Sequence, residues 1–393
     1  MDSRYRDDFN GSFSQEAYLS FLSKIHRETG LNIPFRIAET PVFLNGALME
    51  KLLAASSDIL GQLLSDEMRS RTMHAVPPDC HVSGELGRPS MIALDFAICE
   101  DSQGGLKPML IELQGFPSLF YYQHFLAGAY KSHYKGLGSL KHLFMDEQSF
   151  LDRMRKLILG NRKPDDTVLL ELDPPSQNTY VDFLLTQRQL GMDIVCISEL
   201  ENVNGKLFRL KDGERIPVKR IYNRIIFDEL ARRPDLIRKY NPTDAVDVEW
   251  VCHPDWYFLI SKNALPFLHS SAVPETYFAS DPKSSDLNLA DFVLKPLYSF
   301  SGTGVDLDVD AAIIKQLRQP EHHILQRKVD YASAIRTPDS RSKVEIRLLY
   351  TWMDGEPMPM PTITLARLSQ GKMVGVKYNK DKTWVGSSVC LWE

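Results

Sequence analysis

Residues 167–196 constrain the fold more than any other stretch of this chain. An apolar run over 167–172 (Val168, Leu169, Leu170) is followed by helical spacing over 178–190 and a second apolar run over 193–197. A strand, a helix and a strand at this separation make a βαβ unit, because two parallel neighbours need a crossover of a dozen or more residues. The chain is therefore expected to contain a parallel sheet with a helix laid on its face. Residues 206–210 and 216–222 suggest further strands beside it.

A different pattern precedes this unit. Residues 91–98 read as one strand, Asp101 to Gly105 as a turn, and 108–114 as the return strand of an antiparallel hairpin. Residues 1–75 read as mostly helical, with Leu48, Leu52, Ile59, Leu60, Leu63 and Leu64 spaced along one face. Helical stretches are expected at 121–134 and 148–159. From 285 onwards strands and helices alternate again, with a helix at 310–318 between strands at 291–295 and 323–329. Polar, turn-forming segments at 160–166 and 280–286 mark candidate junctions. They divide the chain into a helical region with the hairpin (1–160), an α/β domain (161–280) and a last lobe (281–393). The expected class is α/β, with α+β character from the hairpin.

Composition narrows the function classes. The 393 residues are 43% hydrophobic and 25% charged, with a formal net charge of −5, which argues against a general nucleic-acid binder. No apolar run approaches the roughly 18–20 residues that span a bilayer, and the charged start of the chain lacks a signal-peptide pattern. The five cysteines, at 80, 99, 196, 252 and 390, form no CxxC pair. They read as reduced thiols of a cytoplasmic protein rather than a disulfide framework or a zinc site.

Two constellations carry possible chemistry. In the first, the run Phe292, Val293, Leu294 delivers Lys295, Pro296 stops regular structure, and a small-residue loop follows with Ser301, Gly302, Thr303 and Gly304. A lysine at a strand end acts as a point charge on phosphate oxygens. Glycines let successive backbone N–H groups approach the same oxygens. In the second, the hairpin sets Asp95 and Glu112 in apolar strands, with Gln114 two residues on and so on the same face as Glu112. Carboxylates in such strands are costly without a cation, and two carboxylates with an amide oxygen are hard ligands suited to Mg2+ beside a nucleotide. The turn after Gln114, with Ser118, opens a helix whose N-terminus can receive an anion. Glu345 and Arg347 share one strand face, and Arg347 could stabilise phosphoryl transfer. The strand holding Gln326, followed by Lys328, could offer its edge to an adenine.

The order and spacing of these motifs resemble the ATP-grasp ligases, in particular the glutathionylspermidine synthetase-like, circularly permuted branch. Leu94-Asp95-Phe96 and Glu112-Leu113-Gln114 stand where that family has Asp-Phe and Glu-x-Asn, and Lys295-Pro296 with residues 301–304 match its lysine and glycine phosphate loop. Gln326 and Lys328 match its adenine pocket. The apolar segment from Val251 ends in Lys262 as the family's does, and Trp352 to Gly355 resemble its late hairpin. The resemblance covers roughly residues 90–360 and departs at Ala93, where the family commonly has an arginine, and at Gln114. It implies an ATP-grasp-like fold with ATP and Mg2+ as cofactors. Lys262, Lys295, Ser301, Gly302, Thr303, Gly304, Gln326 and Lys328 would hold the nucleotide. Asp95, Glu112 and Gln114 would hold the metal, and Lys295 and Arg347 would act in catalysis. The implied reaction joins a small-molecule or peptide carboxylate to an amine through an acyl phosphate. Ala93 and Gln114 keep open a small-molecule kinase or a catalytically degenerate ATP-binding protein.

Overall fold

Strand Met91–Glu100 is buried at nearly every residue, on both faces, and the molecule is arranged around it. In the computed structural model, which describes all residues except 300–301 and 373–378, this strand pairs with Leu106–Gln114 as an antiparallel hairpin. The turn is tied by Asp101, whose Oδ1 accepts from the Gln103 and Gly105 amides at 3.0 and 2.8 Å. A Cβ on Gly105 would sit 2.7 Å from the Asp101 carboxylate, so a larger residue there would push that side chain aside.

On its other side Met91–Glu100 pairs with Arg341–Thr351, which pairs with Met360–Ser369, and that in turn with Gly386–Ser388, all antiparallel. One sheet thus joins segments from opposite ends of the chain. Ile92, Leu94, Phe96 and Ile98 pack against Leu48, Leu52 and Ile59 of helix Gly46–Leu63. Met91 and Ala93 face a second cluster built around Phe120, Tyr122 and Phe150. Covering both faces removes the apolar–polar alternation expected of a half-solvated antiparallel strand.

The segment 167–251 forms its own parallel sheet, in the order Glu249–Val251, Arg220–Asn223, Thr167–Glu171, Asp193–Cys196. Val168 stands opposite Asp193, and helix Tyr180–Leu190 makes the crossover, as the spacing predicts. A small antiparallel meander (Leu200–Val203, Lys206–Lys211, Glu214–Val218) lies beside it and shares its core through Leu200, Leu207 and Val218.

Strands Phe292–Pro296 and His323–Arg327 are separated by helix Ala311–Gln316, much like the strands of the βαβ unit, yet they run antiparallel, Leu294 opposite Leu325. The difference comes from the loop after Lys295. Leu294 and Asp306 exchange both backbone hydrogen bonds, at 3.0 and 2.9 Å, so the chain has already reversed before the helix begins. Strand Thr276–Phe278 completes this three-stranded sheet. Among the described residues no helix is long and apolar enough to cross a membrane.

Candidate active site

The hairpin register sets Asp95 directly opposite Glu112, and Arg347 of the neighbouring strand directly opposite Asp95. Residues opposite one another in an antiparallel pair share a face, so Glu112, Asp95 and Arg347 form a row across three strands. Asp95 is 1% exposed. Arg347 grips it with two parallel bonds, Nε to Oδ1 at 2.6 Å and Nη2 to Oδ2 at 2.7 Å. Arg367 adds a third, Nη2 to Oδ2 at 2.8 Å. Arg367 also pairs with Glu345 at 3.1 Å, and Glu345 accepts from the Tyr331 hydroxyl at 2.7 Å.

Two lysines arrive from other elements. Lys262 opens the turn Lys262–Phe267; its ammonium donates to Glu112 Oε1 at 3.0 Å and to the Ser299 carbonyl at 2.9 Å, bridging the hairpin to the loop after Lys295. Lys295 donates to Gln326 Oε1 at 2.6 Å and to the Ile111 carbonyl at 3.0 Å. That carbonyl belongs to a β-bulge: Asp95 faces Glu112 while Phe96 faces Leu110, which leaves Ile111 as the extra residue. A bulge leaves its extra residue outside the ladder, and here the carbonyl serves the lysine instead.

The electrostatics follow from these distances. Burial pushes the Glu112 carboxyl up, but Lys262, Arg347 and Arg367 outweigh it and hold the group at about 2. Burial pulls Lys295 down to about 8, with Glu112 opposing. Burial raises Glu345 despite Arg367 and Tyr331. For Arg367 the desolvation that lowers it is overcome by Glu345, Asp95 and Glu112, which raise it.

The sequence reading named Asp95, Glu112, Lys262, Lys295, Gln326 and Arg347, and all six meet here. Gln114 lies opposite Ala93 and lines, with Glu112, Phe116, Tyr257, Lys262 and Ser299, a cavity of about 20 Å³. That is room for about one water. Ligand pockets are typically several hundred Å³, so this cavity is far smaller than a nucleotide site. Gly302, Thr303 and Gly304 are exposed on the loop, the glycines at φ 72° and 74°; Ser301 lies outside the described residues. Lys328 is not brought to the cluster. It stands exposed just past the end of strand His323–Arg327, and its ammonium donates to the Ala290 carbonyl. The helix start after Ser118 is closed to a foreign anion, because Asp182 accepts from the Leu119 and Tyr122 amides at 2.8 and 2.9 Å. Arg367 and Tyr331 are additions that sequence reasoning missed. The alternation of strand Met360–Ser369 is the signal that could have pointed to Arg367.

The expected Mg2+ set does not fit as arranged. Both oxygens of Asp95 are taken by guanidinium groups, and one oxygen of Glu112 is taken by Lys262. Among the described residues no group of three His, Cys, Asp or Glu side chains is placed to hold a metal.

A second feature adjoins this cluster. In the parallel sheet the chain leaves Thr167–Glu171 for Asp193–Cys196 on one side, then returns to Arg220–Asn223 on the other. The carboxyl ends of Thr167–Glu171 and Arg220–Asn223 therefore flank a topological switch point, where open α/β sheets bind ligands. Glu171, Asn223 and Arg224 stand there, all buried. Burial pushes Glu171 up to about 8, although it accepts from the Leu172 amide. The Asn223 amide nitrogen has no partner among the described residues. Arg224 lies over the Phe116 ring and donates to the Phe116 and Pro117 carbonyls at 3.2 and 2.9 Å. It thereby ties the crevice to the turn that follows Glu112 and Gln114.

No family model matches the chain, and no curated protein matches it by sequence. Among solved structures, the fold is similar to that of a glutathione synthetase-like effector from Globodera pallida in its apo form. The TM-score is 0.56 at 10% identity, over 96% of each chain. At that identity the likeness establishes a shared mixed α/β architecture along nearly the whole length.

Proposed function

We propose that this chain is an ATP-dependent carboxylate–amine ligase of the ATP-grasp kind. The observation that carries the reading is the meeting of Lys262, Lys295 and ionised Glu112 on facing elements, next to the switch-point crevice. The ammonium groups would neutralise and orient phosphate oxygens, which is most of what a phosphoryl-transfer site supplies. The loop of Gly302, Thr303 and Gly304 would cover them. Arg347 and Arg367 would face the charge that develops on the transferring group. A carboxylate held in the crevice by Arg224 and Asn223 would attack the γ-phosphorus, breaking its bond to the bridging oxygen and releasing ADP. An amine would then displace phosphate from the acyl phosphate, giving an amide. The likeness to a glutathione synthetase-like protein supports a ligase-type scaffold.

A second reading has its own support. The clamp of two guanidinium groups on Asp95, together with Ala93, favours a protein that binds ATP without ligating, or one that stops at phosphorylation. The assay is a panel of amino acids, polyamines and short peptides with ATP, scoring nucleotide and product mass together. ADP with a condensed product is the expected result. A product heavier by one phosphoryl group identifies a kinase, AMP excludes both chemistries, and ATP binding without turnover favours the non-catalytic protein.

A further inference from the structure

We infer that Arg347 and Arg367 stand in place of a divalent cation, and that this face receives a polyphosphate carrying no metal. The inference rests on the nucleotide reading for its ligand. The cluster sets three carboxylates (Asp95, Glu112, Glu345) against four cations (Lys262, Lys295, Arg347, Arg367), an excess of positive charge with no ion added. A divalent cation placed among them would have to strip Asp95 from a buried bidentate partner and then face four like charges. Mg2+ seeks anionic oxygens in near-ideal octahedral geometry, and both oxygens of Asp95, both of Glu345 and one of Glu112 are already taken by donors.

What the cluster has to spare is donors. An ammonium has three N–H groups; Lys262 and Lys295 each spend two on the acceptors named above. Arg367 Nε is buried and has no partner among the described residues. Spare donors on fixed cations suit a ligand made of acceptors, and the fork of a guanidinium matches phosphate oxygens. A nucleotide chelated to Mg2+ brings less negative charge and a cation of its own. The free polyphosphate is the better match.

The test uses the full chain in two arms. In the first, Mn2+ is titrated into the protein and free ion is read by electron paramagnetic resonance, with Asp95→Asn and Glu112→Gln alongside. Wild type is expected to retain no more Mn2+ than either variant; a stoichiometric site lost in either variant overturns the inference. Two variants are used so that one failing to fold leaves the comparison intact. In the second arm, inorganic tripolyphosphate and ATP are titrated calorimetrically in EDTA and in excess Mg2+. Binding in EDTA at least as tight as in Mg2+ is the expected outcome. Tightening by about tenfold or more on adding Mg2+ overturns the inference while leaving the nucleotide reading standing. Absence of binding under both conditions overturns the nucleotide reading, and the receptor with it.

Discussion

Half-buried Glu112 and buried Glu171 answer the same problem in opposite ways. Burial acts on both carboxyls first and in the same direction, upward. At Glu112 it loses to Lys262 at 3.0 Å and to two arginines beyond, and the group stays ionised, at about 2. At Glu171 the Leu172 amide and the more distant Arg224 do not suffice, and the group rises to about 8. Near neutral pH Glu112 in the antiparallel sheet therefore carries its charge, while the end of the parallel sheet carries a neutral carboxyl that can donate a hydrogen bond. Between these two carboxyls the difference lies in the cations within reach, three at Glu112 against one at Glu171, where Glu229 also pushes upward.

The largest expected effect tests the charged side of that contrast. Asp95→Ala leaves Arg347 without its bidentate partner and Arg367 with Glu345 alone in a desolvated face, and breaking a buried pair this way costs about 3–5 kcal/mol. Urea unfolding of wild type and variant measures it. A loss below about 1 kcal/mol, the range of exposed pairs, would mean the network is solvated and the contrast false. Next comes Lys295→Ala, which removes a partly buried cation from the proposed phosphate site. A hydrogen bond to a charged group is worth about 1.5–3 kcal/mol, so affinity for ATP should fall roughly 10- to 150-fold in calorimetry, with the fold retained.

The two carboxyls should also give stability slopes of opposite sign. The stabilisation from Glu171's raised value is full below its ordinary 4.5 and is lost as pH rises towards about 8. The folded state there holds a proton that the unfolded chain has released. Glu171→Gln should remove that decline, at most about 1.4 kcal/mol per pH unit. Glu112 is depressed, so its contribution is present above 4.5 and is lost as pH falls towards about 2; Glu112→Gln should flatten the acid side instead. Unfolding midpoints across pH 3–9 separate the two, and parallel profiles for both variants would undo the distinction. The smallest effect is expected at Lys328. Being exposed and tied to the Ala290 carbonyl, it should change ATP affinity by less than about twofold when replaced by alanine.

What the sequence shows of this site depends on distance along the chain. The hairpin of residues 91–114 is legible because its turn and both strands lie in one short window, as is the helix between 167–171 and 193–196. The pairing of Asp95 with Arg347 is not. Period-2 spacing sets which side chains share a face within a strand but says nothing about which distant strand lies alongside. For the same reason Arg367 and Tyr331 escape notice, and Asp95 reads as a free metal ligand when its oxygens are already bonded. The bulge at Ile111 is hidden too, since no residue type there announces it. Lys328 lies apart from the cluster for a more local reason: the strand that carries Gln326 ends at Arg327, one residue before it.

Asp95 and Arg347 are 252 residues apart, and Arg367 is farther still, at 272. At a synthesis rate of about 5–20 residues per second, the aspartate leaves the ribosome on the order of tens of seconds before either arginine exists. Through that interval strand Met91–Glu100 can pair on its hairpin edge but lacks Arg341–Thr351 for the other. The nascent chain thus carries an apolar open edge with a carboxylate in its middle. That charge is the kind that keeps an edge from pairing with a stranger. The residue that later anchors the network would first protect the unfinished sheet, and it would be withdrawn from water only when the last strands arrive.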